Sequence, residues 1–597
     1  MSTPHTCQGS CGAIWRWEAA SESLINALEG YQRSCGLLES SLSVDYGSKD
    51  LGLRIDSSLK TLDAKIADEL TQSRLILVRM RNKISSRFYS LPKKILAQIF
   101  MNVVYRPAAT YMATHLNKIY SRLHTLLAVC TTWRKAGIAH EPLWAIIPVY
   151  EAFGRPKPLA TRLSLGRSMA DRYSNRGIHL AALISRHNGS FIPSVGGGIP
   201  KFNTVNVMSE SARAIMRLLD DLARPRGSWP TRQHLSELSI YHVRPQSRHF
   251  QGPPEYPDFF YDCVMYSMTG RAQNPLLELF QSLSILRVRG AGMLWDQIKL
   301  SNQLVELRLQ SVNFRSESEL YDFFEALSSA PELRDLKIIS VIAFSEPDSD
   351  SPSAPRSVKC PVSKLQTLLL KDLDFNVLHV LQCSLAPGTY RTTLYLTQQT
   401  THIHEPRKEP IAMDHKDLCR VLKRISVDKL VLCGEIYDKK AWLNSTELHD
   451  VLRSLPTVKT LIMICWKFRE EDLLALERPR SRGKGSKNPR FPRLTALYLE
   501  DAAMLDAGVL KSVVASHKLE KMTLSGFVAP APDSHSDSDI EVDGSESVGD
   551  FRNWMDWHYL EPQDKIPKWL KTQVGQFCLG GVPKAELRDY DTSEWEL

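Results

Sequence analysis

The chain has 597 residues, 43% of them apolar, and its 75 lysines and arginines against 66 acids leave a formal charge of +9. That length holds several domains or one long repeat array, and a charge so small and scattered argues against a general nucleic-acid binder, which carries a basic stripe. The 11 cysteines show no CxxC pairing, and no apolar run reaches membrane-spanning length. Both features fit reduced thiols in a soluble protein of cytoplasm or nucleus.

Residues 1–50 contain Gly9, Gly12, Gly30, Gly36 and Gly47. Ile14, Trp17, Leu24, Leu28 and Tyr31 can line one helical face there, but the segment stays unassigned. Cys7 and Cys11 form a close pair that lacks the second pair a zinc site needs. Residues 51–90 read as a helical arm. From Leu53 to Ser90 there is neither glycine nor proline, and Ile55, Leu59, Leu62 and Ile66 alternate four and three apart. The stripe resumes, shifted, at Leu70, Leu77 and Ile84. Two uses fit: a short coiled coil making a homodimer through residues 53–90, or a helix laid lengthwise on its own protein.

Residues 91–147 combine LPKKILAQIF with LLAVCTTWRKAGIAHEPLWAII. Pro92 suits a first helical turn, where its missing N–H costs nothing, and Ile95, Leu96, Ile99 and Phe100 recur at helical spacing. A second helix carries Leu126, Leu127, Val129, Cys130 and Trp133, and Leu143 with Trp144 closes the unit. So short a segment cannot bury all this apolar surface in itself, which points to another chain. An ordinary helical hairpin inside its own domain is the alternative.

This ordered string resembles the F-box, the helical module that docks the Skp-type adaptor of cullin-RING ubiquitin ligases. The resemblance implies adaptor-binding roles for Leu91, Pro92, Ile95, Leu96, Ile99, Phe100, Val129, Trp133 and Trp144, some of which must form the module's own core. It also accommodates the arm at 51–90, since fungal F-box proteins often carry a helix before the LP motif. The spacer at 102–124 is longer than the family shows and reads as an inserted loop.

Residues 148–199 read as a connector, with one strand-like alternation at Ile178, Leu180, Ala182 and Ile184. From 200 to 528 an apolar-x-x-apolar-x-apolar figure recurs, for example at Leu304-Leu307-Leu309, Leu333-Leu336-Ile338 and Val458-Leu461-Met463. Amphipathic helix candidates separate the figures, at 209–222, 317–327, 414–425, 445–455 and 504–516. Pro331 and Pro456 stop a helix just ahead of a strand. The pattern resembles an irregular leucine-rich repeat. The fold class is therefore an α/β repeat solenoid, leucine-rich-repeat-like, preceded by an all-α F-box module and a long N-terminal helix. Where regular repeats place asparagine, this chain has Val243, Val312, Val341, Leu373, Ala502 and Phe527, which predicts uneven geometry. A doubly wound α/β domain is the rival. Residues 529–552 are acidic and serine-rich and read as a disordered linker. Residues 553–597 read as a C-terminal cap. The basic stretch 478–493 reads as a solvated loop, with a nuclear address or phosphate-binding patch as its second reading.

Strand alternation sends every second side chain away from the helices. On that face Arg308, Lys337, Leu369, Val431, Ile462 and Tyr498 are the expected substrate-binding residues, an apolar floor with a charged rim that selects a target protein. The alternative is that the protein's own loops cover them. No GxxxxGK[ST], HExxH or GxSxG occurs, and His402, His404, His415 and Cys419 read as solvated rather than metal-bound. The expectation is a non-catalytic substrate receptor of a Skp-cullin-F-box ligase, with no cofactor. A repeat scaffold acting outside ubiquitination is the second reading, and nucleic-acid binding through 478–493 a third.

Overall fold

In the computed structural model the described residues are 7–41, 49–85, 91–106, 112–150, 178–184, 202–223, 235–243, 273–345, 359–405, 408–434, 441–479, 491–529 and 557–583. The acidic segment, most of the connector and the heart of the basic loop therefore lie outside them. Contacts divide the chain into two units, residues 1–96 and 97–597.

The first unit is built on two long helices, α1 (Cys7–Ser41, 35 residues) and α2 (Lys49–Ser85, 37 residues). The segment left unassigned from sequence is thus mostly one helix. Gly9, Gly12, Gly30 and Gly36 all lie inside α1, and each costs about 1 kcal/mol of helix stability relative to alanine. From Gly12 to Ser41 every α1 side chain is exposed except at Ser21 and Gly30, which are half-buried. On α2 the half-buried apolar residues are Leu51, Leu62 and Ile66. A third helix, α3 (Lys93–Val104), runs from the first unit into the second.

The second unit continues with α4 (Met112–Val129), α5 (Thr131–Ala139) and a 3-10 turn, Glu141–Trp144. The chain then enters a 16-stranded sheet. Its main ladder is β1 (Ile146–Tyr150), β2 (Ile178–Ile184), β3 (Phe202–Ser209), β4 (Glu237–His242), β5 (Ile285–Arg289), β6 (Glu306–Gln310) and β7 (Asp335–Ile339). It continues through β8 (Thr367–Lys371), β9 (Arg391–Leu396), β10 (Lys429–Cys433), β11 (Thr460–Ile464), β12 (Ala496–Met504) and β13 (Lys521–Val528) to β14 (Gln576–Leu579). Each strand pairs in parallel with the next in chain order. A doubly wound sheet reverses its strand order at a switch point, and this ladder never does. The molecule's second unit is an α/β solenoid.

Helices α6 (Ala212–Ala223), α7 (Gln273–Phe280), α8 (Glu317–Leu327), α9 (Phe375–Ser384), α10 (His415–Leu422), α11 (Ser445–Ser454), α12 (Glu470–Leu474) and α13 (Leu510–Ser516) lie between strands. From α8 to α13 each packs on the next. Their starts follow local chemistry. Asn444 accepts from the Glu447 N–H at 3.0 Å while Glu447 accepts from the Asn444 N–H at 2.9 Å, so two orphan donors of α11 are met at once. Leu307, Leu309, Leu336, Ile338, Leu368, Leu370, Leu430, Leu432, Leu461 and Met463 all point into one buried core shared with these helices.

Three expectations need correction. The ladder begins at Ile146 and reaches Leu579, beyond both ends of the stretch 200–528, because the connector supplies β2 and the C-terminal piece supplies α14 (Lys565–Gln573) and β14. Strand β9 carries no apolar-x-x-apolar lead, so the figure missed it. The helix expected from Met504 starts later, because Ala502 and Met504 alternate into the core at the end of β12; it opens with a 3-10 turn at Ala507–Val509 that leads into α13.

Six of the turns share one backbone form although asparagine is missing. Gly290, Ser311, Ser340, Asp372, Cys465 and Asp501 each follow a strand's core pair with φ between 48° and 68°. The N–H groups of Ser311, Ser340 and Cys465 reach the carbonyls of Ile339, Lys371 and Glu500 at 2.9, 2.8 and 2.9 Å. The left-handed residue therefore carries the backbone ladder one step past the strand. The next residue, Val312, Val341, Leu373, Trp466 or Ala502, then drops into the core. Backbone geometry does here what a side-chain ladder does in regular repeats.

At the end of the ladder Gly526 has φ 143°, and a Cβ on it would stand 1.9 Å from the Ala502 carbonyl oxygen. Gly526→Ala is expected to lower stability by about 1–3 kcal/mol from the dihedral alone, with the clash adding to that. An unchanged denaturation midpoint would contradict this account of the turn.

Candidate functional site

The first candidate surface is the helical module at 91–147. In the first unit Leu91 is half-buried and Pro92 exposed, its carbonyl accepting the Leu96 N–H at 3.1 Å to start the helix. Leu96 is buried, while Ile95 keeps 50% of its surface exposed.

In the second unit the core is Phe100, Val104, Ile119, Leu123, Leu127, Leu143 and Trp144. The Trp133 ring stands 5.1 Å from that of Phe100, and Ile99 is half-buried. The Trp144 indole donates to the Gly137 carbonyl at 2.9 Å. A Cβ at Gly137 would lie 2.6 Å from a Leu127 methyl, so a larger residue there would force that side chain to move. Cys130 caps α5, its sulfur accepting from the Trp133 N–H at 3.4 Å. The Tyr105 hydroxyl donates toward the Pro142 and Leu143 carbonyls, and burial pushes its pKa up. Two expectations need correction here: the spacer at 102–124, read as a loop, is largely helix in α3 and α4, and the second helix is two, broken at Cys130; Arg122 on α4 donates to the Arg106 carbonyl at 2.8 Å. Val129 remains 56% exposed and Val103 41%. The nine residues expected at this surface thus divide into Leu96, Phe100 and Trp144 in the interior, Leu91, Ile99 and Trp133 between, and Pro92, Ile95 and Val129 outside. The pattern missed Val103, Tyr105, Arg122 and Gly137, because single residues between anchors carry no period.

The second surface is the sheet face opposite the helices. Cross-strand register aligns Ser239, Arg287, Arg308, Lys337 and Leu369 in one row, and Tyr241, Arg289, Gln310, Ile339, Lys371, Tyr395, Val431, Ile462 and Tyr498 in the next. Arg287 holds Glu306 in a two-pronged pair at 2.8 and 3.0 Å. Burial alone would raise the Glu306 pKa, but that pair, with Lys337 and Arg308 nearby, brings it below the usual carboxylate range. Arg289 lies 4.3 Å over the Tyr241 ring, and Lys337 pairs with Asp335 at 3.3 Å. Arg308 and Lys337 are both part-exposed.

The apolar floor is a correction. Leu369, Val431, Ile462 and Tyr498 lie on the face the alternation assigns them, but they are buried, at 4%, 0%, 0% and 4% exposure. They form a second cluster with Ile339, Tyr395 and Val582. The residue after β14 and its glycine turn thus packs onto this face, which alternation alone could not foresee.

At the start of α9 sits a buried polar group. Asp374 has no exposed surface, and the Gln399 amide nitrogen bridges its Oδ1 at 2.6 Å to His404 Nε2 at 2.5 Å. Asp374 Oδ2 and His404 Nδ1 have no hydrogen-bond partner. Burial raises Asp374 to about 8 and lowers His404, so the 3.6 Å pair is neutral rather than ionic. Of the four residues read as solvated, His404 and Cys419 are instead buried, while His402 contacts the Gln398 carbonyl and His415 faces Asp414, Glu447 and Asp450. Among the described residues no three His, Cys, Asp or Glu side chains gather to hold a metal, and no helix is long and apolar enough to cross a membrane.

No protein-family model matches this chain, and no curated protein matches it.

Two outcomes follow from this geometry. Val431→Asp buries an unpaired charge at a fully covered site and is expected to lower stability by about 3 kcal/mol or more, read as a shift in denaturation midpoint. Asp374 binds its proton in the folded chain up to pH about 8 and in the unfolded chain only up to the ordinary carboxyl value of 3.8, so stability falls as pH rises between the two. His404 has the opposite sign but acts only below the ordinary imidazole value of 6.5. Asp374→Asn should therefore gain at least about 1.4 kcal/mol over wild type by pH 8, the worth of one pKa unit, with the gap widening from pH 6.5. A gap that does not change with pH would contradict the neutral pair.

Proposed function

We propose that this protein is the substrate receptor of a Skp-cullin-F-box type ubiquitin ligase, docking a Skp-type adaptor through residues 91–147 and a target protein through the solenoid. The observation that carries the reading is the division of the motif's anchors. Leu96, Phe100 and Trp144 are buried, whereas Pro92, Ile95 and Val129 stay in water. A self-contained hairpin gains nothing by exposing such residues, and an adaptor-binding module needs them there. The solenoid is read as a divergent leucine-rich repeat whose turns use a left-handed backbone residue in place of asparagine. Targets are assigned to the outer face of β4–β8, where Arg308 and Lys337 are accessible and the neighbouring apolar floor is covered. The contribution to ubiquitin transfer is proximity: the receptor performs no bond chemistry and brings a target lysine to the cullin ligase core.

Each exposed aliphatic buried against an adaptor is worth about 1.5–3 kcal/mol. Ile95→Asp and Val129→Asp should each leave thermal unfolding unchanged and weaken adaptor binding at least about tenfold, measured by calorimetric titration. Wild-type chain and adaptor that elute apart at micromolar concentration would overturn the reading.

A further inference from the structure

We infer that α1 is a dimerisation helix through which two copies of this chain pair as a parallel, two-stranded coiled coil. The pattern on α1 is an unbroken heptad: Ile14, Trp17, Ser21, Leu24, Leu28, Tyr31, Cys35 and Leu38 follow one another three and four residues apart. A strict 3.5-residue repeat keeps one seam facing another helix, whereas a helix packed on a globular surface follows a 3.6-residue period. The seam runs for more than three heptads, the length at which such a pattern specifies a coiled coil. Along it Ile14, Trp17, Leu24, Leu28, Tyr31 and Leu38 are 53%, 51%, 51%, 39%, 45% and 41% exposed. Four glycines make this helix poor on propensity alone, so it requires the packing that a seam supplies.

Three features favour a second copy over a different helix. With Ile14 at position a, the g positions are Ala13, Ala20, Ala27 and Ser34, and the e positions Glu18, Ile25, Gln32 and Glu39. Identical parallel helices therefore meet no like charges across e and g, and the helix carries none of the charge code that selects a foreign partner. Small Ser21 and Cys35 at a alternate with bulky Trp17, Tyr31 and Leu38 at d, so stacked layers have room to interdigitate. The Ser21 hydroxyl donates to the Trp17 carbonyl at 2.9 Å and so enters the seam with its hydrogen bond made. Helix α2 is the poorer seam. Its stripe takes two successive four-residue steps, Leu62 to Ile66 to Leu70, and falls out of register.

The test uses the full chain in sedimentation equilibrium and with a short bis-maleimide cross-linker. Parallel pairing places each Cys35 beside its counterpart, so wild type is expected to sediment as a dimer and to cross-link, with the product lost in Cys35→Ser. Leu24→Glu with Leu28→Glu should give a monomer whose solenoid unfolds at the wild-type temperature, while Glu29→Lys, off the seam, leaves the dimer intact. A wild type that is monomeric, that forms trimers, or that dimerises without a Cys35 cross-link would overturn the proposal.

Discussion

The second unit depends on one constraint: every strand must pair in parallel with its successor, and each turn must carry that pairing one residue past the strand. A left-handed residue does this at Gly290, Ser311, Ser340, Asp372 and Cys465; Asp501 has the same conformation but donates its N–H to the Ser525 hydroxyl at 3.1 Å. Most of these are not glycine, so each stores backbone strain of about 1 kcal/mol or more. The gain is a buried apolar residue at the next position, Val312, Val341, Leu373, Trp466 or Ala502. The strain is held because the surrounding ladder over-determines it. At Asp372 the side chain adds its own hold, accepting from Ser340 at 3.1 Å and from Thr397 at 2.5 Å.

That ladder decides what each face of the sheet can do. One side is committed to the helices and the common core. The other changes character along the ladder, from Arg287, Arg308 and Lys337 in one cross-strand row to Val431 and Ile462, further on in the next row. The cationic half is tied into pairs with Glu306 and Asp335 yet keeps part of its surface in water. The apolar half is closed, with Val582 packed on it. Arg287, Arg308 and Lys337 therefore reach water beside an apolar cluster that is closed.

Much of this was legible in the residues. Strand alternation placed Leu369, Val431 and Ile462 on the correct face, and Pro331 and Pro456 marked the helix-to-strand turns. Helix α8 runs over the residues its period indicated, Glu317–Leu327. What local pattern could not carry was tertiary. Exposure of a strand's outer face depends on what else crosses it, and the segment that packs there arrives from residue 582. Strand β9 was invisible because its pairs, Thr392 with Leu394 and Leu396, lack the leading leucine of the others. In the helical module, spacing named the anchors but not their division. Whether Ile95 or Leu96 turns inward is a matter of one helical step, about 100° of rotation, which spacing does not set.

The central claim is that the module at 91–147 meets an adaptor while the solenoid stays free. Hydrogen exchange on the full chain, with and without a Skp-type adaptor, tests it most directly. The account predicts slowed exchange along α3 and α5 and unchanged exchange across β4–β8. Unaltered exchange at α3 and α5 under saturating adaptor, or protection confined to the sheet, would contradict it.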